Sequence, residues 1–239
     1  AHALDRDSPL ATLAEGAARA LAGLAAPGPD ESPSEARREA WAAVGVLCDE
    51  LSSTVLTVGL PGDGSATGRI LAAAGREPVW LTLRQLVRCP PQWHGLDTVL
   101  VVENPSVLAF AADGRRCPPL VCTNGQPRAA TMTLLRAMAA AGVELRHHGD
   151  FDWPGLTIGN VLHRRLPIVP FEFDSDAYMR AAAAHPRAAP LTGPPVRATW
   201  DDGLAAAMTT TARQVEEEAV ARDVIDRFLA LSGPHVRSP

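Results

Sequence analysis

Short apolar runs alternate with stretches of helical period along most of this chain, and that alternation sets the expected architecture. Ser8-Pro9 opens a helix expected to reach about Leu24, where Ala26-Pro27-Gly28-Pro29-Asp30 breaks it. Ser32-Pro33-Ser34-Glu35 then offers an N-cap serine, a proline in the first turn and a glutamate three residues after the cap. Trp41, Val44 and Leu47 trace the apolar stripe of that second helix. Thr54 to Leu60 reads as a buried strand, Gly62 to Gly68 as a loop, Arg69 to Ala74 as a helix and Pro78 to Leu83 as a strand, together a compact β-α-β unit.

After Pro90-Pro91 the alternation becomes regular: strand 98–103, helix 105–112, strand 119–123, helix 128–141, strand 143–148, helix 155–165 and strand 167–173. Ser175 caps a helix to about Ala184, a proline-rich stretch covers 186–195, and one long amphipathic helical region is expected over 201–232. Strands alternating with helices predict an α/β fold, a mainly parallel sheet with helices on both faces and strands 99–102, 119–123 and 143–148 side by side. The expected division is 1–78, the end of an upstream domain, and 79–239, the catalytic domain with its C-terminal helices. The unit from 54 to 83 either extends the same sheet or belongs to the preceding domain.

Composition narrows the class. Apolar residues make up 46% of 239 positions, enough for a sizeable core, and no apolar run approaches the roughly 20 residues of a membrane span. No secretory signal is read, and a start at Ala1 suggests a piece of something longer. All 22 basic residues are arginine, a pattern of GC-rich bacterial genomes. The net charge of −5 predicts weak, salt-sensitive DNA binding by the chain alone, because such affinity comes mostly from phosphate neutralisation. Cys48, Cys89, Cys117 and Cys122 lack metal-site spacing and read as reduced thiols of a bacterial cytoplasm.

The chemistry concentrates in carboxylates at strand ends. Glu103 directly follows Val99-Leu100-Val101-Val102, where an isolated charge is costly unless it meets a cation. Asp150 and Asp152 follow strand 143–148, two residues apart, so in an extended segment both point the same way while Phe151 points to the core. Gly149 and Pro154-Gly155 bracket them with residues that fix a tight course. In parallel α/β sheets ligands collect beyond the carboxyl ends of the strands, and three carboxylates meeting there suit a hard cation such as Mg²⁺. Two turns with polar residues at strand ends are the plain alternative.

Other candidates read more simply. Gly62 to Gly68 sits where a phosphate-binding turn would, but lacks the Gly-Lys-Ser/Thr ending and reads as a Gly-rich connection. His147 and His148 point to opposite faces, so at most one looks into the site. Asp174 and Asp176, near the single tyrosine Tyr178, read as helix capping, and Glu216-Glu217-Glu218 as a solvated helix face.

Glu103 after one strand, Thr123-Asn124-Gly125-Gln126-Pro127 after a second and Asp150-Phe151-Asp152-Trp153-Pro154-Gly155 after a third resemble the Toprim domain of the topoisomerase VI A-subunit type. The likeness is closest to JetD, the nuclease subunit of Wadjet-type plasmid-defence systems, and covers roughly 80–232. It implies a Mg²⁺-dependent DNA endonuclease, with Mn²⁺ as substitute, that cuts double-stranded circular DNA beside SMC-like and kleisin-type subunits, with a homodimer as a further option. Glu103, Asp150 and Asp152 become the catalytic and metal-site residues; Glu103 either completes the metal shell or acts as general acid or base. Asn124, Gln126, Arg128 and His148 are candidates for contact with substrate phosphate, with Arg115 and Arg116 the other basic residues near these strand ends in sequence. The topoisomerases cut with a tyrosine from an upstream winged helix, which is not read here, so hydrolysis by metal-activated water is expected. Two other readings stay open: a non-catalytic Toprim-shaped scaffold for partner protein or DNA ends, and an enzyme on a small phosphorylated molecule cradled by Gly62 to Gly68.

Overall fold

A computed structural model describes residues 8–24, 26–27, 33–46, 48 and 50–231. The expected Ser32 cap and the Leu47 end of the second helix's stripe lie outside the described residues. Helices α1 (Pro9–Leu21) and α2 (Pro33–Ala43) pack together and precede six strands: β1 (Thr54–Val58), β2 (Val79–Thr82), β3 (Thr98–Val102), β4 (Leu120–Cys122), β5 (Glu144–His147) and β6 (Ile168–Pro170). Between and after them come α3 (Ala66–Ala74), α4 (Leu83–Arg88), α5 (Pro105–Asp113), α6 (Ala129–Ala140), α7 (Trp153–Arg165), α8 (Ser175–Ala184), α9 (Leu204–Thr211) and α10 (Glu217–Leu231).

All six strands form one sheet in the order β2-β1-β4-β3-β5-β6. The β3–β4, β3–β5 and β5–β6 pairs are parallel, so the three strands that carry the candidate site adjoin with β3 in the centre. β3 is apolar from Val99 to Val102, where it is buried on both faces. Val99 and Val101 join one cluster with α4, α6 and α7, whereas Leu100 and Val102 join a second with α5 and α10. A third cluster, around Phe151, Phe173, Tyr178 and Val215, fills the space between the acidic loop, α8 and α9.

Three expectations need correction. β1 runs antiparallel to both β2 and β4, so 54–83 extends the sheet but is not a parallel β-α-β unit; side-chain alternation fixes which face a strand buries, not its direction. Thr82 and Gln85 form a capping box that starts α4 within what reads as the end of a strand. The helical region 201–232 is two helices: Ala212 adopts a left-handed conformation (φ 54), and the next residues bridge Arg213 to Pro190 and Val215 to Phe151 before α10 begins.

The N-terminal helices are tied to the sheet through one buried acid. Glu39 on α2, 6% exposed, pairs with Arg136 of α6 and Arg165 of α7. Glu39→Ala removes an ion-pair partner from both Arg136 and the largely buried Arg165 and is expected to cost about 2 kcal/mol, measured by thermal or urea unfolding. Unchanged stability would mean that solvent screens the pair.

Candidate active site

Three helices begin where β3 and β5 end, and the candidate carboxylates sit at those starts. Asn104 caps α5 directly after Glu103, its side chain accepting from Ser106 N–H at 3.0 Å. Asp152 caps α7, accepting from Gly155 N–H at 2.7 Å with Pro154 in the first turn. Asp150 accepts from Glu217 N–H, the first residue of α10, at 2.6 Å. Each aspartate therefore faces the N–H groups of a helix start. The Asp150 N–H faces the Glu103 carboxylate, so the ends of β3 and β5 meet through the acidic loop. The sequence-based expectation that Glu103 meets the Asp150 loop is what the structure places there.

Burial and mutual charge dominate the electrostatics. Glu103 is pushed up to about 8, first by desolvation and then by the charges of Asp150 and Asp152. Asp150 is pushed up to about 6, first by desolvation; the Glu217 N–H opposes this, and Asp152, Glu218 and Glu216 add to it. Glu103 Oε2 is buried with no hydrogen-bond partner. Among the described residues no group of three or more His, Cys, Asp and Glu is already arranged to hold a metal. The donor chemistry nevertheless fits one: the side chains are all-oxygen, they repel one another, and a buried carboxylate oxygen lacks a partner. A divalent cation taking Glu103, Asp150 and Asp152 would relieve each of these.

The other candidates separate. Asn124 is exposed in a left-handed conformation (φ 51), its N–H donating to Glu103 C=O at 3.1 Å; Gln126 is half-buried, and Arg128 is exposed at the start of α6. All three follow β4 in the chain, and Asn124 is bonded to Glu103. His148 does not reach the surface: it is 1% exposed, packs on Phe151 and Phe173, and places Nδ1 3.2 Å from Phe171 C=O. A phosphate contact from His148 is therefore corrected to a core role, set by the extra apolar cluster that the loop buries. His147 is wholly buried, both ring nitrogens without partners, against His163, Phe173 and Trp200. Arg115 and Arg116 lie at the far end of α5, in a cleft of about 250 Å³ with Phe110 and Arg222. Two amides of the Gly62 to Gly68 loop are already taken: Asp63 Oδ1 accepts from Ser65 N–H at 3.0 Å and Ser65 Oγ from Gly68 N–H at 2.9 Å. That places a carboxylate where a phosphate would have to sit. Tyr178 is fully buried, its hydroxyl donating to Arg213 C=O at 2.8 Å.

Sequence reasoning missed Glu217. Read as part of a solvated Glu-Glu-Glu face, it is 1% exposed, and its carboxylate accepts the N–H groups of Glu103 (3.0 Å) and Asn104 (2.7 Å). Burial pushes it well above the ordinary carboxylate range despite these bonds. No local signal separates Glu217 from Glu216 or Glu218. Only its place at the first turn of a helix that covers one face of the sheet does so.

A family described as "protein of unknown function C-terminus (DUF2399)" matches residues 79–228, and one described as "protein of unknown function N-terminus (DUF3323)" matches 1–62. The chain belongs to the DUF2399 family. No curated protein matches it. The DUF2399 match runs from β2 into α10 and holds Glu103, Asp150, Asp152 and Glu217. β1 lies in the DUF3323 match yet pairs with β4 inside the DUF2399 match, so the sheet itself joins the two.

The raised carboxyls give the metal-free protein a pH signature. Glu103 and Asp150 hold protons that the unfolded chain has already released, so their contribution to stability falls as pH rises from about 4.5 to 8. His148 and His163, both lowered to about 4 by burial, and His147, lowered well below its ordinary value, refuse protons that the unfolded chain accepts below 6.5, so stability also falls on the acid side. In chelator the thermal midpoint should therefore peak at about pH 6 and decline towards pH 8. Added Mg²⁺ should raise it more at pH 8 than at pH 6, since ligation requires the ionised carboxylates. A midpoint flat between pH 6.5 and 8 would show that Glu103 is not raised.

Proposed function

We propose that this chain is a Mg²⁺-dependent DNA endonuclease subunit of Toprim type that hydrolyses phosphodiester bonds of foreign circular DNA, in a bacterial cytoplasm, together with an SMC-like complex. The observation that carries the reading is the meeting of Glu103 with Asp150 and Asp152 at adjacent parallel strand ends, with Glu103 Oε2 buried and unpartnered. The six-stranded mixed sheet with helices on both faces suits a Toprim-like core, and membership of DUF2399 agrees with the likeness to the JetD C-terminal region. Glu103, Asp150 and Asp152 would hold the cation, which supplies charge neutralisation at the scissile phosphate and activates water.

The chain's own residues do the positioning. The Gly155 and Glu217 amides each fix one aspartate oxygen, leaving the second oxygen of each carboxylate for a ligand. Glu103, raised to about 8 while no cation is bound, either completes the metal shell or, standing outside it, moves a proton to the leaving 3′-oxygen or from water. Asn124, Gln126 and Arg128, which follow β4, would contact neighbouring phosphates; the exposure of Asn124 and Arg128 supports this. The burial of Tyr178 favours water over a tyrosine nucleophile. The test is nicking of supercoiled plasmid by the full chain with its SMC-like partners in Mg²⁺, in Mn²⁺ and in chelator. Cleavage that persists in chelator, or none in metal with all partners present, overturns the reading.

A further inference from the structure

We propose that Glu217 is a positioning residue that sets the spacing between Glu103 and the Asp150–Asp152 loop; the inference rests on the metal-site reading above. A helix start ordinarily satisfies its own first amides with a nearby side chain. Here the bonds run outward in both directions. The Glu217 carboxylate leaves its own helix to accept the N–H groups of Glu103 and Asn104, at 3.0 and 2.7 Å, while its backbone N–H donates to Asp150 Oδ1 at 2.6 Å. One residue therefore holds the end of β3 by its side chain and the loop after β5 by its backbone. The two segments so held face each other, the Asp150 N–H towards the Glu103 carboxylate.

The rest of α10 anchors that brace. Ala221, Val224, Ile225 and Phe228 pack on the face of the sheet that holds Leu100 and Val102, so Glu217 is fixed relative to β3 by a rigid helix rather than by a loop. Glu216 and Glu218 flank it, and the Asn104 side chain donates to Glu218, so the first turn of α10 meets the site at two adjoining residues. Groups that orient metal ligands without touching the metal typically change its affinity by roughly ten- to a hundredfold when removed.

The test separates position from charge. Mn²⁺ titration by calorimetry on the full chain is compared for wild type, Glu217→Ala, Glu217→Asp and Glu217→Gln, alongside amide hydrogen exchange. Ala cannot accept either N–H, and Asp keeps the charge but is one methylene short; both are expected to weaken Mn²⁺ binding roughly ten- to a hundredfold. Gln retains an acceptor oxygen at full reach and should stay within about threefold of wild type. In Glu217→Ala the amides of Glu103, Asn104 and residue 217 should exchange faster while those of Val99 and Leu145 stay protected. If Gln loses affinity as fully as Ala, Glu217 acts through its charge and the proposal is overturned. Wild-type affinity in both Ala and Asp overturns it too, as does exchange at residue 217 that does not respond. Should Ala fail to fold, the Asp and Gln pair carries the comparison. If wild type binds no Mn²⁺, the metal reading fails, and the exchange at residue 217 alone decides the brace.

Discussion

Asp150→Asn, Asp152→Asn and Glu103→Gln are each expected to cut plasmid nicking by on the order of a thousandfold, a loss in the range seen when a metal ligand or general acid–base group is removed. These substitutions keep the local structure. An asparagine oxygen at 152 still accepts from Gly155 N–H, and asparagine caps helices as well as aspartate does. At 150 it still accepts from Glu217 N–H. The two aspartate variants should lose Mn²⁺ affinity together with cleavage. Glu103→Gln should lose cleavage and retain most of the affinity if Glu103 moves the proton. In chelator all three variants should be slightly more stable than wild type above pH 7, because each removes one member of a mutually repelling group. Wild-type cleavage in all three variants would remove these residues from the chemistry, whereas destabilised variants would make any lost activity a folding effect.

The carboxylates were readable because each is marked by its neighbours along the chain. Four apolar residues before Glu103 announce a strand buried on both faces, and an acid at its exit is conspicuous. Asp152-Trp153-Pro154-Gly155 is a capped helix start in which each residue has a local reason. The sheet's central order follows from the same alternation. What could not be read depends on long-range partners. Glu217 and Glu218 are indistinguishable in sequence, yet one is buried against Glu103 N–H and the other faces solvent. The direction of β1 depends on pairing with β4, some sixty residues on, and not on its own pattern. The break at Ala212 carries no glycine or proline; it is imposed by the strand-like pairing of Val215 with Phe151, which gives the acidic loop its outer edge. His148 misled for a related reason: a polar residue at a strand end is ordinarily exposed, but the third apolar cluster covers this one. Of the two glycines that bracket the acidic loop, local sequence could not tell which the geometry requires.

Gly155→Ala answers that question and should be the most damaging single-methyl change near the site. A Cβ at 155 would stand 2.2 Å from the Asp150 carbonyl oxygen and 3.0 Å from its carbon, both backbone atoms that no rotamer can move aside. At Gly149 the nearest atom to a Cβ is the Phe173 ring at 3.4 Å, an ordinary contact. The first turn of α7 therefore packs directly on the loop's own backbone, and a methyl group there must push Asp150 away from Glu103 or unwind the cap at Asp152. Overpacking of this kind is expected to cost about 2 to 3 kcal/mol, a fall of roughly 5 to 10 °C in the thermal midpoint for a chain of this size. Cleavage should fall further than stability explains, since a misplacement of about 1 Å in a catalytic group can cost on the order of a hundredfold. Gly149→Ala, made alongside, should stay within about 1 kcal/mol of wild type and keep its Mn²⁺ affinity. Thermal unfolding and Mn²⁺ calorimetry on the two variants settle the point: equal effects at 149 and 155 would mean that the approach of α7 to the Asp150 carbonyl does not shape the site.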